Sequence, residues 1–143
     1  SPWCSCSSHT KGIFAYGVYW WFLADEGNGK RPTGNVCSPG TNLEIDGKLI
    51  TQHIVKSTAP TFPADQWVAI EIEVQGNEHV IHRVHGKDVL RYQHPQLDPE
   101  GRVESAETLL QAGSPLQLNS GFIALQAEGQ PVWFRKIELQ QLD

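Results

Sequence analysis

The chain has 143 residues, a formal net charge of −5 and a hydrophobic fraction of 39%, and a chain of this length can bury a core without disulfide or metal staples. The acidic charge argues against nucleic acid or an anionic membrane as a partner, and no apolar run reaches the roughly 18–20 residues that span a bilayer. We therefore expect one folded domain over residues 1–143 and a neutral partner.

The first elements in chain order are unusual for a folded domain. Residues 1–8 have the composition of a loop, whereas the aromatic residues of Ile13–Leu23 favour a strand. The chain has no initiator methionine and no signal-peptide core at its start, so it looks processed or partial. Cys4 and Cys6 are too close to pair comfortably with each other, so either could pair with Cys37. Three cysteines also fall short of a four-ligand zinc set, so we expect no metal there.

The middle of the chain carries two groups of strands with short connections. Thr41–Ile45 and Lys48–His53 flank Asp46–Gly47, a strong hairpin signal. A two-residue turn at this point would place Glu44 opposite Leu49. Three further strands follow as a meander with turns at residues 76–77 and 86–87, and they are Trp67–Gln75, His79–His85 and Asp88–Tyr92.

Two long loops and a closing hairpin complete the pattern. The loops span residues 24–40 and 94–120, and only Ser105–Ala112 within them has modest helical propensity. The closing run, Gly121–Leu139, consists of two β-rich segments around the turn Glu128–Pro131. The whole predicts an all-β antiparallel sandwich with little helix, in which one sheet face packs the core and the other is available to a ligand.

From about Gly27 to its end, the chain shares a set of short motifs with a known family. The motifs are Gly34–Thr41, Thr51–His53, Asp65–Trp67, His85–Lys87, Gly121–Gln126 and Val132–Ile137. With them the chain resembles the 3-keto-disaccharide hydrolase domain family, formerly a domain of unknown function. The resemblance implies a jelly-roll sandwich of the concanavalin A-like lectin and glucanase type, a carbohydrate substrate and a periplasmic or secreted location. Residues 1–22 do not align, which implies missing or replaced N-terminal strands, and Gln130 stands where members often carry a histidine.

The chemistry of such a substrate indicates which residue types to look for. Glycoside cleavage typically uses two carboxylates. A substrate with a 3-keto group opens another route, because a base can remove the acidic proton beside the ketone and elimination then expels the leaving sugar. A histidine, a carboxylate and an arginine suffice for this, with or without a divalent metal ion. No cofactor is otherwise implied.

Seven residues are candidates for the site that the resemblance implies. The catalytic candidates are Glu44, His53 and Glu128, and the substrate-binding candidates are Gln52, Gln126, Trp133 and Arg135. His53 or a carboxylate would act as the base, and Arg135 would orient the substrate. Four of them have a structural alternative: Glu44 as a solvated strand carboxylate, Glu128 as a turn-flanking solvent charge, Arg135 as a cross-strand ion pair and Trp133 as a core residue.

Weaker metal sites come from loop carboxylates and from four histidines, His79, His82, His85 and His94. His79 and His85 share one strand face while His82 lies on the other, so the three cannot converge from a regular strand. The loop carboxylates that could instead bind Ca²⁺ are Asp25, Glu26, Asp46 and Asp98. We assign no metal ligands.

The sequence therefore supports one function and two alternatives. The first is a carbohydrate-active hydrolase that cleaves 3-keto-disaccharides or related glycosides. The second is a non-catalytic, lectin-like carbohydrate-binding module on the same fold, which would use Trp133. The third is a truncated family member without activity. Lectin-like sandwiches host both binders and enzymes, so the fold alone does not choose among these functions.

Overall fold

The structure is a computed structural model that describes residues 19–21, 32–63, 65–100, 104–121, 123, 125 and 131–142. Within these ranges the elements are β1 (Tyr19–Trp21), β2 (Asn35–Cys37), β3 (Thr41–Ile45), β4 (Lys48–Ile50), β5 (Ile54–Val55), β6 (Ile70–Gln75), β7 (His79–Val84), β8 (Lys87–Leu97) and α1 (Glu104–Gln111). Helix α1 has eight residues, and the described part of the chain holds no helix with the length and apolarity to cross a membrane.

The strands form two antiparallel sheets that share a core. One sheet has three strands in the order β1-β2-β5, and the other has five in the order β4-β3-β8-β7-β6. Val36 of β2 packs in the core against buried side chains of the larger sheet, which are Leu43, Val80 and Tyr92. This confirms the predicted fold class, an all-β antiparallel sandwich.

Local turn chemistry explains the two predicted groups of strands. Asp46 and Gly47 have φ angles of 51° and 74°, the left-handed geometry of a two-residue hairpin turn. The resulting β3–β4 register places Glu44 opposite Leu49, as predicted. Strands β6, β7 and β8 pair in sequence as the predicted meander, so both groups are confirmed.

A buried histidine joins the two sheets. His82 of β7 is 0% exposed, and its Nδ1 donates to the carbonyl oxygen of Gly34, just before β2, at 2.7 Å. The Tyr92 hydroxyl lies 3.4 Å from Nε2 and donates to it. Burial lowers the pKa of His82 to about 4, although the hydrogen bond to Gly34 acts in the opposite direction. His82 is therefore a neutral core residue at physiological pH.

Several strand boundaries differ from the predictions. Strand β6 begins at Ile70 rather than Trp67, and β8 continues through Leu97 rather than ending at Tyr92. The predicted loop 24–40 contains β2, and the predicted strand Lys48–His53 ends as β4 at Ile50. These differences arise because non-local pairing, which local propensity does not report, decides where a strand ends. The helix predicted over Ser105–Ala112 is confirmed as α1.

The predicted closing strand is not formed. Residues 131–142 contain no regular strand, and Lys136 has a φ of 51°, which interrupts an extended backbone. The expectation that the β-rich segment after the Glu128–Pro131 turn, up to Leu139, forms a strand is therefore wrong. Most of the turn Glu128–Pro131 and the cysteines Cys4 and Cys6 lie outside the described residues.

Candidate functional site

The five-stranded sheet has one face on the core and one face away from it. Leu43 and Tyr92 point into the core, so strand alternation places Glu44, Gln93 and Arg91 on the opposite face. We call this the outer face. Glu44 lies directly opposite Gln93 in the β3–β8 register, so the two polar side chains are cross-strand neighbours.

A histidine and a carboxylate form a hydrogen-bonded pair on the outer face, which is an ion pair when the imidazole is protonated. His94 Nδ1 lies 2.8 Å from Glu44 Oε2, and the side chains are 37% and 29% exposed. Both groups are therefore accessible to a ligand while remaining partly sheltered. An ionised carboxylate only accepts hydrogen bonds, so it fixes the proton on Nδ1 and leaves the lone pair on Nε2. This arrangement suits an imidazole that takes up a proton.

A β-bulge brings His94 to Glu44. Between the pairs Glu44↔Gln93 and Asn42↔Gln96, β8 has one residue more than β3. His94 lies in this bulge with a φ of 45°, an uncommon conformation for a residue other than glycine. Because Pro95 follows it, the right-handed helical region is also disfavoured at His94. The bulge thus re-aims a side chain that regular alternation would place on the core face.

The sequence indicated Glu44 as a catalytic candidate but did not predict a contact between Glu44 and His94. The two residues are 50 positions apart, and no local motif reports the β3–β8 register. His94 had drawn attention only as one of several histidines with a potential metal role. The His94-Pro95 pair, which restricts the backbone before the proline, was the available signal of an irregular strand.

His53 lies in a different environment from Glu44. Its Nε2 is 3.3 Å from the Sγ of buried Cys37, and its carbonyl oxygen accepts a hydrogen bond from the Ser38 amide. Partial burial lowers the pKa of the His53 imidazole. His53 and exposed Gln52 precede β5 of the three-stranded sheet, whereas Glu44 is on β3 of the larger sheet.

The candidates from the closing run are described only in part. Trp133 is 74% exposed, and the Arg135 guanidinium carbon lies 4.0 Å from the ring centroid of Trp67, a cation–π contact. Arg135 thus contacts an aromatic ring in the segment before β6. Gln126 and Glu128 lie outside the described residues.

A second charged cluster lies on the outer face around Arg83 of β7. Its guanidinium donates to Glu71, to Glu73 at 2.7 Å and to Asp88 at 2.6 Å. Hydrogen bonds from Arg83 and His79 lower the pKa of Glu73 to about 2, and the carboxylates raise the pKa of Arg83. All three guanidinium nitrogens donate to carboxylates. We therefore interpret this cluster as a structural contact between strands rather than a ligand site.

In the described part of the chain, the Glu44–His94 pair belongs neither to a possible metal cluster nor to the lining of the cavity between residues 58–62 and the β7–β8 turn. Among the described residues no group of three or more His, Cys, Asp or Glu is placed to hold a metal ion. A cavity of about 310 Å³ lies between residues 58–62 and the β7–β8 turn, and its lining extends along β8 to Val89. His94 follows Val89 by five positions along β8, roughly 16 Å of extended strand at about 3.3 Å per residue. The cavity is therefore separate from the pair.

The fold and the site define an all-β antiparallel sandwich with a histidine–carboxylate pair on an accessible sheet face. Residues 4–140 match the family model described as the 3-keto-alpha-glucoside-1,2-lyase-like domain, and the chain belongs to this family. The match confirms the resemblance seen in the sequence. It also includes residues 4–22, so the expectation that this segment does not align to the family is wrong. No curated protein and no solved structure matched the chain. The family description identifies a domain of the type that cleaves carbohydrates.

Proposed function

We propose that this protein cleaves 3-keto glucosides by elimination, with Glu44 and His94 as its acid–base pair. The observation that carries the proposal is the 2.8 Å contact between His94 Nδ1 and Glu44 Oε2 on the outer face of the sheet. The family description supports the substrate class, and its lyase wording agrees with the elimination route. The sequence alone favoured a hydrolase, which breaks the same glycosidic bond by adding water.

The reaction requires a proton to be removed beside the ketone. The C3 carbonyl acidifies the proton at C2, and His94 Nε2 takes this proton while Glu44 stabilises the imidazolium that forms. The C2–H electron pair then becomes the C1=C2 double bond and the bond from C1 to the glycosidic oxygen breaks. The leaving oxygen takes the proton from the His94 imidazolium, which returns the pair to its starting state. The products are an unsaturated keto sugar and the released sugar, so atoms and charge balance.

The other candidate residues enter the proposal with their predicted roles. Arg135 and Trp133 would hold the substrate, and His53 is the alternative base. Several further expectations stay predictions. They are a contribution of Gln52, Gln126 and Glu128 to the site, the use of a divalent metal ion, a single domain over residues 1–143 and a periplasmic or secreted location. A cationic group near the C3 oxygen would stabilise the enolate that develops in the transition state.

Activity on 3-keto-trehalose and 3-keto-sucrose tests the proposal. We expect Glu44→Gln and His94→Gln to lower kcat by about 100-fold or more, the usual contribution of general acid–base catalysis. The matched control is His79→Gln, because His79 also pairs with a glutamate, Glu73, at 3.3 Å. This control should retain the wild-type rate.

Isotopic substitution at C2 separates elimination from hydrolysis. Deuterium at C2 should slow turnover by a primary isotope effect if proton abstraction limits the rate, and the unsaturated sugar should appear together with the released sugar. Full activity in His94→Gln would contradict the assignment of the base. Release of the sugar without any unsaturated product would contradict the elimination route.

A binding module is the second candidate function, and the exposure of Trp133 favours it. An indole ring that is 74% exposed offers a flat apolar surface of the kind on which ligand rings stack. Carbohydrate binding that Trp133→Ala abolishes, together with no turnover of either keto sugar, would support a binding module over an enzyme.

A further inference from the structure

The backbone of His94 is held by groups that take no part in the Glu44–His94 ion pair. The His94 amide donates to the carbonyl oxygen of Asn77 at 2.8 Å, and the His94 carbonyl oxygen accepts from Gln96 Nε2 at 3.3 Å. The amide is thus satisfied by the β6–β7 turn rather than by the partner strand β3. The left-handed conformation is unfavourable for a residue other than glycine, so these contacts offset a backbone cost.

A side-chain contact ties that turn to the segment after α1. Asn77 Nδ2 donates to Gln117 Oε1 at 3.1 Å, and both residues are partly buried. Gln117 in turn pairs with Gln96 as an isolated β-bridge. The amides of Leu97 and Leu118 donate to Leu116 and Pro95, respectively, across the same junction.

These contacts form a closed ring around the bulge. The ring runs from His94 to Asn77, from Asn77 to Gln117, and through the bridge to Gln96 and back to His94. Its members come from the β6–β7 turn, from β8 and from residues 116–118. The His94 side chain lies outside this ring and contacts Glu44.

We infer that Asn77 and Gln117 are positioning residues that hold His94 in the orientation that its pairing with Glu44 requires. The inference rests on the proposed function for its catalytic consequence, but the geometry is independent of turnover. Neither Asn77 nor Gln117 reaches the ion pair itself. Loss of their amide–amide contact would free the turn that supplies the acceptor for the His94 amide, and the imidazole would then sample orientations away from Glu44.

The experiment is a double-mutant cycle with Asn77→Ala, Gln117→Ala and the double variant. Each single variant should lower kcat by about 10- to 100-fold, the effect of a small misplacement of a reacting group, with KM changed by less than about threefold. The double variant should be no worse than either single variant, because one contact is removed in all three. The control is Gln75→Ala at the same turn, which removes only an exposed contact to Glu73.

Nitrogen NMR of the His94 ring measures its tautomeric state, which would not change if Asn77 and Gln117 had a merely structural role. In the wild-type protein the ring should be held as the Nδ1–H tautomer by Glu44, and in both single variants it should become a tautomeric mixture. If the protein turns over no keto sugar, the proposed function fails while this readout still tests the inference. A ring spectrum identical to wild type in both single variants would overturn it, as would additive losses of kcat in the double variant.

Discussion

The buried His82 makes the stability of the sandwich depend on pH. Its imidazole is neutral in the folded state with a pKa lowered from 6.5 to about 4, so the unfolded chain binds a proton at a higher pH than the folded protein. The contribution of His82 to stability is therefore fully present above about pH 6.5 and is lost as the pH falls towards 4. Between about pH 7 and about pH 5 this amounts to about 2 kcal/mol for one group.

Urea unfolding followed by tryptophan fluorescence measures this loss. We expect His82 to account for about 2 kcal/mol of the fall in the wild-type free energy of unfolding over that range, so the fall should be about 2 kcal/mol smaller in His82→Gln. Glutamine does not titrate, and its amide can still donate to the Gly34 carbonyl oxygen, so the fold is preserved. Equal pH dependence in wild type and His82→Gln would refute the reasoning.

Three further predictions concern contacts outside the core. A double-mutant cycle of Trp67→Leu and Arg135→Gln should give a coupling of about 0.5–1 kcal/mol in urea unfolding, because the two groups form a cation–π contact; additive effects would contradict it. Gly47→Ala should destabilise the protein by about 1 kcal/mol in the same assay, since the new Cβ meets no atom and only the left-handed φ of 74° is strained, whereas no change would show a relaxed turn. In Arg83→Gln the pKa of Glu73 should rise from about 2 towards 4.5, and carboxyl NMR should show Glu73 protonating at higher pH. The loss of folding stability that Glu73 causes as the pH falls from 4.5 to about 2 should then be smaller. An unchanged titration of Glu73 would show that Arg83 does not lower its pKa.

The parts of the fold that were predictable from sequence are those set by neighbouring residues. Alternation identified β6 and β7, and the Asp46–Gly47 turn fixed the β3–β4 register to the residue. Both features depend on side chains and turn geometry within a few positions, which is the range over which strand and turn preferences act.

The candidate site depends on contacts between residues far apart in the sequence, which local strand and turn preferences do not report. Glu44 was a catalytic candidate from the sequence, and its contact with His94 is made by the β3–β8 pairing and by a bulge. His53, which the Thr51–His53 motif favoured, lies beside Cys37 instead. The closing run looked like a strand by composition, yet the left-handed Lys136 interrupts it, and composition alone does not reveal such a residue.

The order of strands in the larger sheet has a consequence for how the protein folds. Two units that close locally, the β3–β4 hairpin and the β6–β7–β8 meander, meet only along the seam between β3 and β8. Local units form early, because closing a short loop costs less entropy than closing a long one. Glu44 stands on one side of that seam and His94 on the other. A chain caught before the seam closes would hold most of its strands and lack the pair entirely, so the Glu44–His94 contact would be among the last features to form during folding.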